Sequence, residues 1–156
     1  MKKKNKKLLN FIIFFIFILF NCSYTLANVD IYFLSLKNNK VNLRQGPSLD
    51  YPIKLIYKKK YLPIIITEKS GTWRKIIDFK NNSGWIHVSQ LSKKKAGITV
   101  DDNLLVFKNP TLYSKPLVIL KKGRLCLIKK CKDMWCKISV DKYTGWIKKD
   151  SLWGRL

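Results

Sequence analysis

The stretch "WRKIIDFKNNSGWIHV" occupies residues 73–88, and "WCKISVDKYTGWIKK" occupies residues 135–149. Both run Trp, one residue, Lys-Ile, a polar turn, then Gly-Trp-Ile. A phrase repeated at near-constant spacing marks a duplicated structural unit. Working outward, Ser35-Leu36 aligns with Thr99-Val100, Arg44 with Lys108, Pro47 with Pro110, and Leu91 with Leu152. The two copies meet near "SKKKAG", Ser92 to Gly97.

Within a copy the apolar runs are short and rich in β-branched residues: "DIYFLSL", "KVNLR", "IKLIY", "LPIIITE", "TWRKIIDF", "GWIHV". Turn formers such as "QGPS", "KSG" and "KNNS" separate them. Short strands punctuated in this way predict a small barrel or sandwich. In "WRKIIDF", period-two alternation places Trp73, Lys75, Ile77 and Phe79 on one face and Arg74, Ile76 and Asp78 on the other.

The chain opens "MKKKNKK" and continues with an apolar run from Leu8 to Phe20. A basic start before a short apolar segment is the pattern of a secretory signal peptide. The run falls short of the roughly 20 residues that span a bilayer. Small residues at Thr25 and Ala27 place the expected cut after Ala27, so residues 1–27 are read as a signal peptide. Cys22 offers a lipid-attachment reading, but Phe20 and Asn21 stand where small residues are needed. The remaining 129 residues carry 27 Lys and Arg against nine Asp and Glu, a formal charge of +18.

The segment "VNLRQGPSLDYPIKLIYKKKYLPIIITEKSGTWRKIIDFKNNSGWIHVSQLS" resembles bacterial SH3-like (SH3b) domains, with "NLR-x-GPS" and the later Gly-Trp as its marks. The pieces "YPIK", "WRKI" and "LWG" resemble a tandem, two-repeat secreted family common in alphaproteobacteria. The resemblance covers Ile31 to Gly154. It implies an all-β protein of two tandem SH3-like small β-barrels, residues 28–92 and 97–156, and a periplasmic address. Cell-wall association is implied by other SH3b modules. The second copy departs from the pattern, with "VFKNPT" where the first has "NLRQGPS".

Large side chains must close so small a core, so Trp85 and Trp146 are expected inside it. Gly84 and Gly145 are expected to permit a bend in the strand. A surface site is expected in the first copy, from Arg44, Tyr51, Tyr57 and Trp73. An Arg and aromatics on neighbouring loops can hydrogen-bond and stack on a peptide. The plainer reading is that Arg44 pairs with Asp50 and pins its loop.

Three cysteines follow Ala27, all in the second copy. Cys131 and Cys136 flank the turn "KDMW" and could face each other across a hairpin, and the resembling family often carries this pair. Export permits a disulfide there. Cys126 alternates with Leu125 and Leu127 and is expected to pack as a small hydrophobe, with an intermolecular bridge as the sharper alternative. The C-x4-C-x4-C spacing lacks the close pairs of structural zinc, so no metal and no cofactor are expected. The one histidine, His87, has no cysteine in its own copy to activate. No Gly-rich phosphate loop, HExxH or GxSxG occurs.

Lysine outnumbers arginine 28 to 4, and the lysine runs fall mostly at turns. Phosphate sites usually favour arginine's planar fork, so no specific nucleic-acid partner is expected. The expectation is an exported, non-catalytic binding or scaffold module in the periplasm, its partner peptidoglycan, its peptide stems, or a periplasmic protein. The rival is a polycation that coats anionic lipid or polymer non-specifically. A third reading, a wall hydrolase or an accessory to one, rests on Cys126 or His87.

Overall fold

The computed structural model describes residues 30–156, and the expected signal peptide lies outside the described residues. The first unit runs β1 (Tyr32–Leu36), β2 (Val41–Arg44), β3 (Ile53–Tyr57), β4 (Pro63–Ser70), β5 (Trp73–Asp78), β6 (Ser83–His87) and β7 (Leu91–Ser92). The second runs β8 (Ala96–Thr99), β9 (Leu104–Phe107), β10 (Pro116–Leu120), β11 (Leu125–Lys132), β12 (Trp135–Val140), β13 (Tyr143–Lys148) and β14 (Leu152–Arg155). The hydrogen-bonded order β3-β2-β6-β5-β4-β1-β7 recurs as β10-β9-β13-β12-β11-β8-β14. All pairings are antiparallel.

One face of the first sheet gathers Leu36, Val41, Leu43, Tyr57, Ile64, Ile66, Ile76 and Ile86 into a single core, drawn from six strands. The second gathers Val106, Leu120, Cys126, Ile128, Cys136, Ile138, Val140, Ile147 and Leu152. Six strands can share one cluster only if the sheet curls around it. The curl does not close, because β3 and β7 end their sheet unpaired, as do β10 and β14 in theirs. The expected barrels are therefore open, curled sheets.

Trp85 and Trp146 are not in these cores. Both are half-buried on the outer faces, and Ile86 and Ile147 take the inner positions. Successive strand residues point to opposite faces, so in Gly-Trp-Ile the glycine and isoleucine face one way and the tryptophan the other. The glycines also have a different cause from the bend expected of them. A Cβ at Gly84 would lie 2.6 Å from the Arg44 carbonyl oxygen, and one at Gly145 would lie 2.6 Å from that of Phe107. Close approach of β2 to β6, and of β9 to β13, excludes any side chain there.

The two units share a packed junction. Trp153 in β14 meets Phe33 edge-on at 5.0 Å and Phe79 at 5.5 Å between ring centres. The buried Ser35 hydroxyl donates to the Lys94 carbonyl at 2.9 Å, tying the connecting segment to β1. β8, from "AGITV", is buried along its whole length.

Cys131 and Cys136 are direct cross-strand partners on β11 and β12 and form a disulfide. Cys126 is a free thiol, fully enclosed in the second core. Burial pushes its pKa up to about 12, so it stays a protonated thiol that packs as a small hydrophobe.

Candidate functional site

β2 brings Asn42 and Arg44 to the outer face of the first sheet, because residues two apart in a strand share a side. Arg44 then turns its guanidinium onto the following loop. Its Nη1 donates to the carbonyls of Leu49 at 2.8 Å and Tyr51 at 2.7 Å. The expected pairing with Asp50 is not made, because that carboxylate accepts the Ser48 hydroxyl at 2.7 Å instead. Arg44 does hold the loop, through carbonyl oxygens.

The loop is further fixed by Tyr51, whose ring lies so close over Gly46 that a Cβ there would sit 2.6 Å from it. Tyr51 is therefore a support of the loop. Tyr57, also expected at the surface, points inward and is only 7% exposed. Its hydroxyl donates to Asp78 Oδ2 at 3.0 Å. Burial and the neighbouring carboxylate hold the phenol well above its ordinary pKa. Asp78 also accepts from the Lys80 and Asn82 backbone N–H groups and the Asn82 side chain. The Tyr57–Asp78 pair thus braces the β5–β6 turn from inside.

Trp73, at the start of β5, faces its cross-strand partner His87 on β6. The rings meet edge-on at 5.3 Å. His87 Nδ1 accepts the Ser89 backbone N–H at 3.3 Å and lies 2.8 Å from the Ser89 hydroxyl. This assigns Nδ1 as the acceptor and leaves the neutral ring's proton on Nε2, as a donor.

Between the pinned loop and the Trp73–His87 pair lies a groove of ≈ 820 Å³, lined also by Lys40, Asn42, Asp50 and Gln90. Its volume is in the usual range for ligand sites. Of the four residues expected at the surface, Arg44 and Trp73 line this groove, Tyr51 supports its loop, and Tyr57 lies in the core. Asn42, Lys40 and His87 also line it, and none of them was expected there. The alternation in "VNLR" carried the signal for Asn42, since it shares a face with Arg44. His87 shares the outer face of "GWIH" with Trp85 by the same rule.

The corresponding place in the second unit is different in kind. The register sets Arg44 opposite Trp85 and Phe107 opposite Trp146. The counterpart of Arg44 is therefore Phe107, and the alignment with Lys108 is one residue out. Asn42 pairs with Ile56, and Leu105 pairs with Ile119, so Leu105 replaces Asn42. Lys148 replaces His87 across from Trp135. Phe107 is buried and packs edge-on against Trp135, with ring centres 5.8 Å apart. Where the first unit has a polar groove, the second has two packed aromatic rings.

His87 and the buried Cys126 thiol are in different units, and the other two described cysteines are oxidised together. Among the described residues, no three His, Cys, Asp or Glu side chains gather as metal ligands would.

No curated protein matches the chain. Two solved structures are similar to it at 16% sequence identity. NlpC2 from Trichomonas vaginalis aligns with 81% of this chain and 49% of its own, with a TM-score of 0.36. NlpC1 from the same organism aligns with 83% and 48%, with a TM-score of 0.35. The chain thus spans about half the length of each. The bacterial SH3 domain family matches the chain twice, over residues 37–93 and 100–154. With one match falling on each of the two repeated sheets, the chain belongs to the bacterial SH3 domain family.

Proposed function

We propose that the protein is a non-catalytic binding module, exported to the periplasm, that holds peptidoglycan or its peptide stems in the groove of its first unit. The observation that carries this reading is the groove itself. An exposed loop is pinned by Arg44 across from an aromatic pair whose His87 offers a donor. The second unit fills the same place with Phe107 and Trp135. A groove kept open and polar in one copy only is not a requirement of the shared fold. Membership of the bacterial SH3 domain family supports the cell wall as the surface on which the module works.

The test is a pull-down on purified sacculi over a series of salt concentrations, comparing the wild type with Trp73→Ala/His87→Ala. The double variant is expected to bind at least tenfold more weakly with an unchanged circular dichroism spectrum. Absence of wild-type binding would overturn the reading. So would binding that vanishes at moderate salt and is equal in the two proteins.

That last outcome is what a polycation would give, and one observation favours such a reading. The lysine runs at 58–60, 93–95, 121–122, 129–130 and 148–149 are all exposed. They are spread along the sequence of both units. The charge then serves to gather the protein onto anionic surfaces in general, and the groove selects among them.

A further inference from the structure

The loop between β9 and β10 is closed at its base by the Lys108 N–H, which donates to the Lys115 carbonyl at 3.0 Å. Gln45 and Pro52 close the first unit's loop in the same way, at 3.1 Å. The two loops are equally long, so Leu112 matches Leu49 and Tyr113 matches Asp50. Leu112 is 59% exposed and Tyr113 entirely so. Phe107, just before this loop, packs on Trp135, just after the tip of the β11–β12 hairpin. The bases of the loop and of the tip therefore meet, and at the tip Met134 is 65% exposed. The Lys149 N–H donates to the Met134 carbonyl at 2.9 Å, as that of Val88 does to Thr72.

Lysines accompany these three side chains. Lys108 and Lys115 stand at the base of the loop, Lys132 on the hairpin, and Lys148 and Lys149 beside its tip. All five are exposed, and none forms an ion pair among the described residues. Only Asp133 and Asp150 are interspersed with them in these segments of the chain. The same positions in the first unit are Gln45, Pro52, Ser70, His87 and Val88, and Thr72 stands in place of Met134. The shared fold therefore requires neither the lysines nor the tyrosine and methionine.

Leu112, Tyr113 and Met134 leave apolar surface in water at a cost, and unpaired ammonium groups gathered together repel one another. A partner with an anionic outer layer over an apolar interior relieves both. A wall polysaccharide offers charge without such an interior. A bilayer containing anionic lipid has both, and tyrosine favours its polar boundary. We propose that the second unit docks on an anionic membrane surface. Its lysines lie against the headgroups, and Leu112, Tyr113 and Met134 enter the interfacial layer. This surface belongs to the second unit and is independent of the groove in the first.

The experiment uses the chain without residues 1–27, because the apolar run from Leu8 to Phe20 would itself enter lipid, and both cores lie beyond it. The protein is sedimented with vesicles of mixed phosphatidylethanolamine and phosphatidylglycerol, or of phosphatidylcholine alone. Binding to the anionic vesicles is expected, with at least tenfold weaker binding to the neutral ones. The variant Leu112→Ser/Tyr113→Ser/Met134→Ser is expected to bind anionic vesicles at least tenfold more weakly. Its melting temperature is expected to be unchanged, because the three side chains stand in water. Lys108→Gln/Lys148→Gln/Lys149→Gln is expected to lose at least tenfold, and Lys58→Gln/Lys59→Gln/Lys60→Gln in the first unit to stay within about threefold of the wild type. Trp73→Ala/His87→Ala is expected to bind vesicles as the wild type does, whatever becomes of its binding to sacculi. Full vesicle binding by the serine variant would reduce the attraction to charge and sink the docking surface. Equal losses from the two lysine variants would do the same, as would wild-type binding that is absent on anionic vesicles or equal on neutral ones.

Discussion

Where β2 meets β6 the first unit has Arg44, and where β9 meets β13 the second has Phe107. The strand order around them is the same, and so is the glycine that lets each strand approach. Arg44 spends its hydrogen bonds on a loop and leaves a groove beside Trp73. Phe107 has no such bonds to make and settles against Trp135. The inner faces show a parallel exchange. The buried Tyr57–Asp78 pair of the first unit is represented in the second by Leu120 and Val140, at the same register positions. One fold therefore tolerates a polar or an apolar solution both inside and outside, provided every buried group finds a partner. Asn42 is the position where the first unit breaks that condition.

The comparison can be broken most sharply at the cores. Ile86→Ala and Ile147→Ala are each expected to cost about 2–5 kcal/mol in denaturant unfolding. Trp85→Ala and Trp146→Ala are expected to cost less, since those rings are half in water. A tryptophan loss equal to or larger than the isoleucine loss in the same unit would reverse the inside-out assignment.

Next in size is the disulfide, which exists in one unit only. The first unit has Lys69 and Arg74 paired at the matching register position. Replacing Cys131 and Cys136 together by serine is expected to cost about 2 kcal/mol in the chain-entropy relation for so short a loop. Calorimetry should show the melting temperature falling under reductant in the wild type and no further change in the double variant. An unshifted wild type would show that the bridge constrains nothing the hairpin does not already hold.

Tyr57 offers a smaller effect, with a pH signature. Tyr57→Phe removes one donor from the Asp78 carboxylate and is expected to cost about 1–2 kcal/mol near neutral pH. The folded-state pKa of the phenol is raised above its ordinary value of 10. Below pH 10 both folded and unfolded chains keep the proton. Above it only the unfolded chain releases it, so stability falls as pH rises. Urea midpoints measured from pH 8 upward should therefore decline less steeply in Tyr57→Phe than in the wild type. Equal slopes would mean that the phenol is not buried against Asp78.

The smallest effect concerns Cys126, sealed in the second core. In non-reducing buffer, with residues 1–27 removed, a thiol reagent is expected to modify no cysteine in the folded protein and one per chain after unfolding, following the unfolding rate. Fast labelling of the native protein would place this thiol at a surface and reopen the intermolecular bridge.

Much of this was readable before any coordinates. The doubled Trp-Lys-Ile and Gly-Trp-Ile phrases announced two equal β units, because a repeat of residue pattern is a repeat of strand and turn. The turn "KDMW" set two cysteines across a hairpin, where the disulfide lies. Alternation in "WRKIIDF" separated Ile76 from Trp73 correctly, and Ile76 is the buried one. Applied to "GWI", the same alternation puts Trp85 on the side opposite Ile86. The preference for large residues in small cores pulled the other way, and geometry prevailed. Tyr57 was similarly misplaced, since a tyrosine beside three lysines resembles surface until Asp78, 21 residues on, is seen to receive its hydroxyl.

The order of residues alone determined the number of units, their strand content and the parity of each strand, because these follow from local spacing. The tertiary structure decided the register, and with it everything that depends on residues far apart. It set Phe107, not Lys108, opposite Trp146. It turned Arg44 onto loop carbonyls in place of Asp50. It also left the Asn42 Oδ1 buried without a donor. Hydrogen-bond partners across a sheet are fixed by the pairing of whole strands, and a shift of one residue changes which side chains meet.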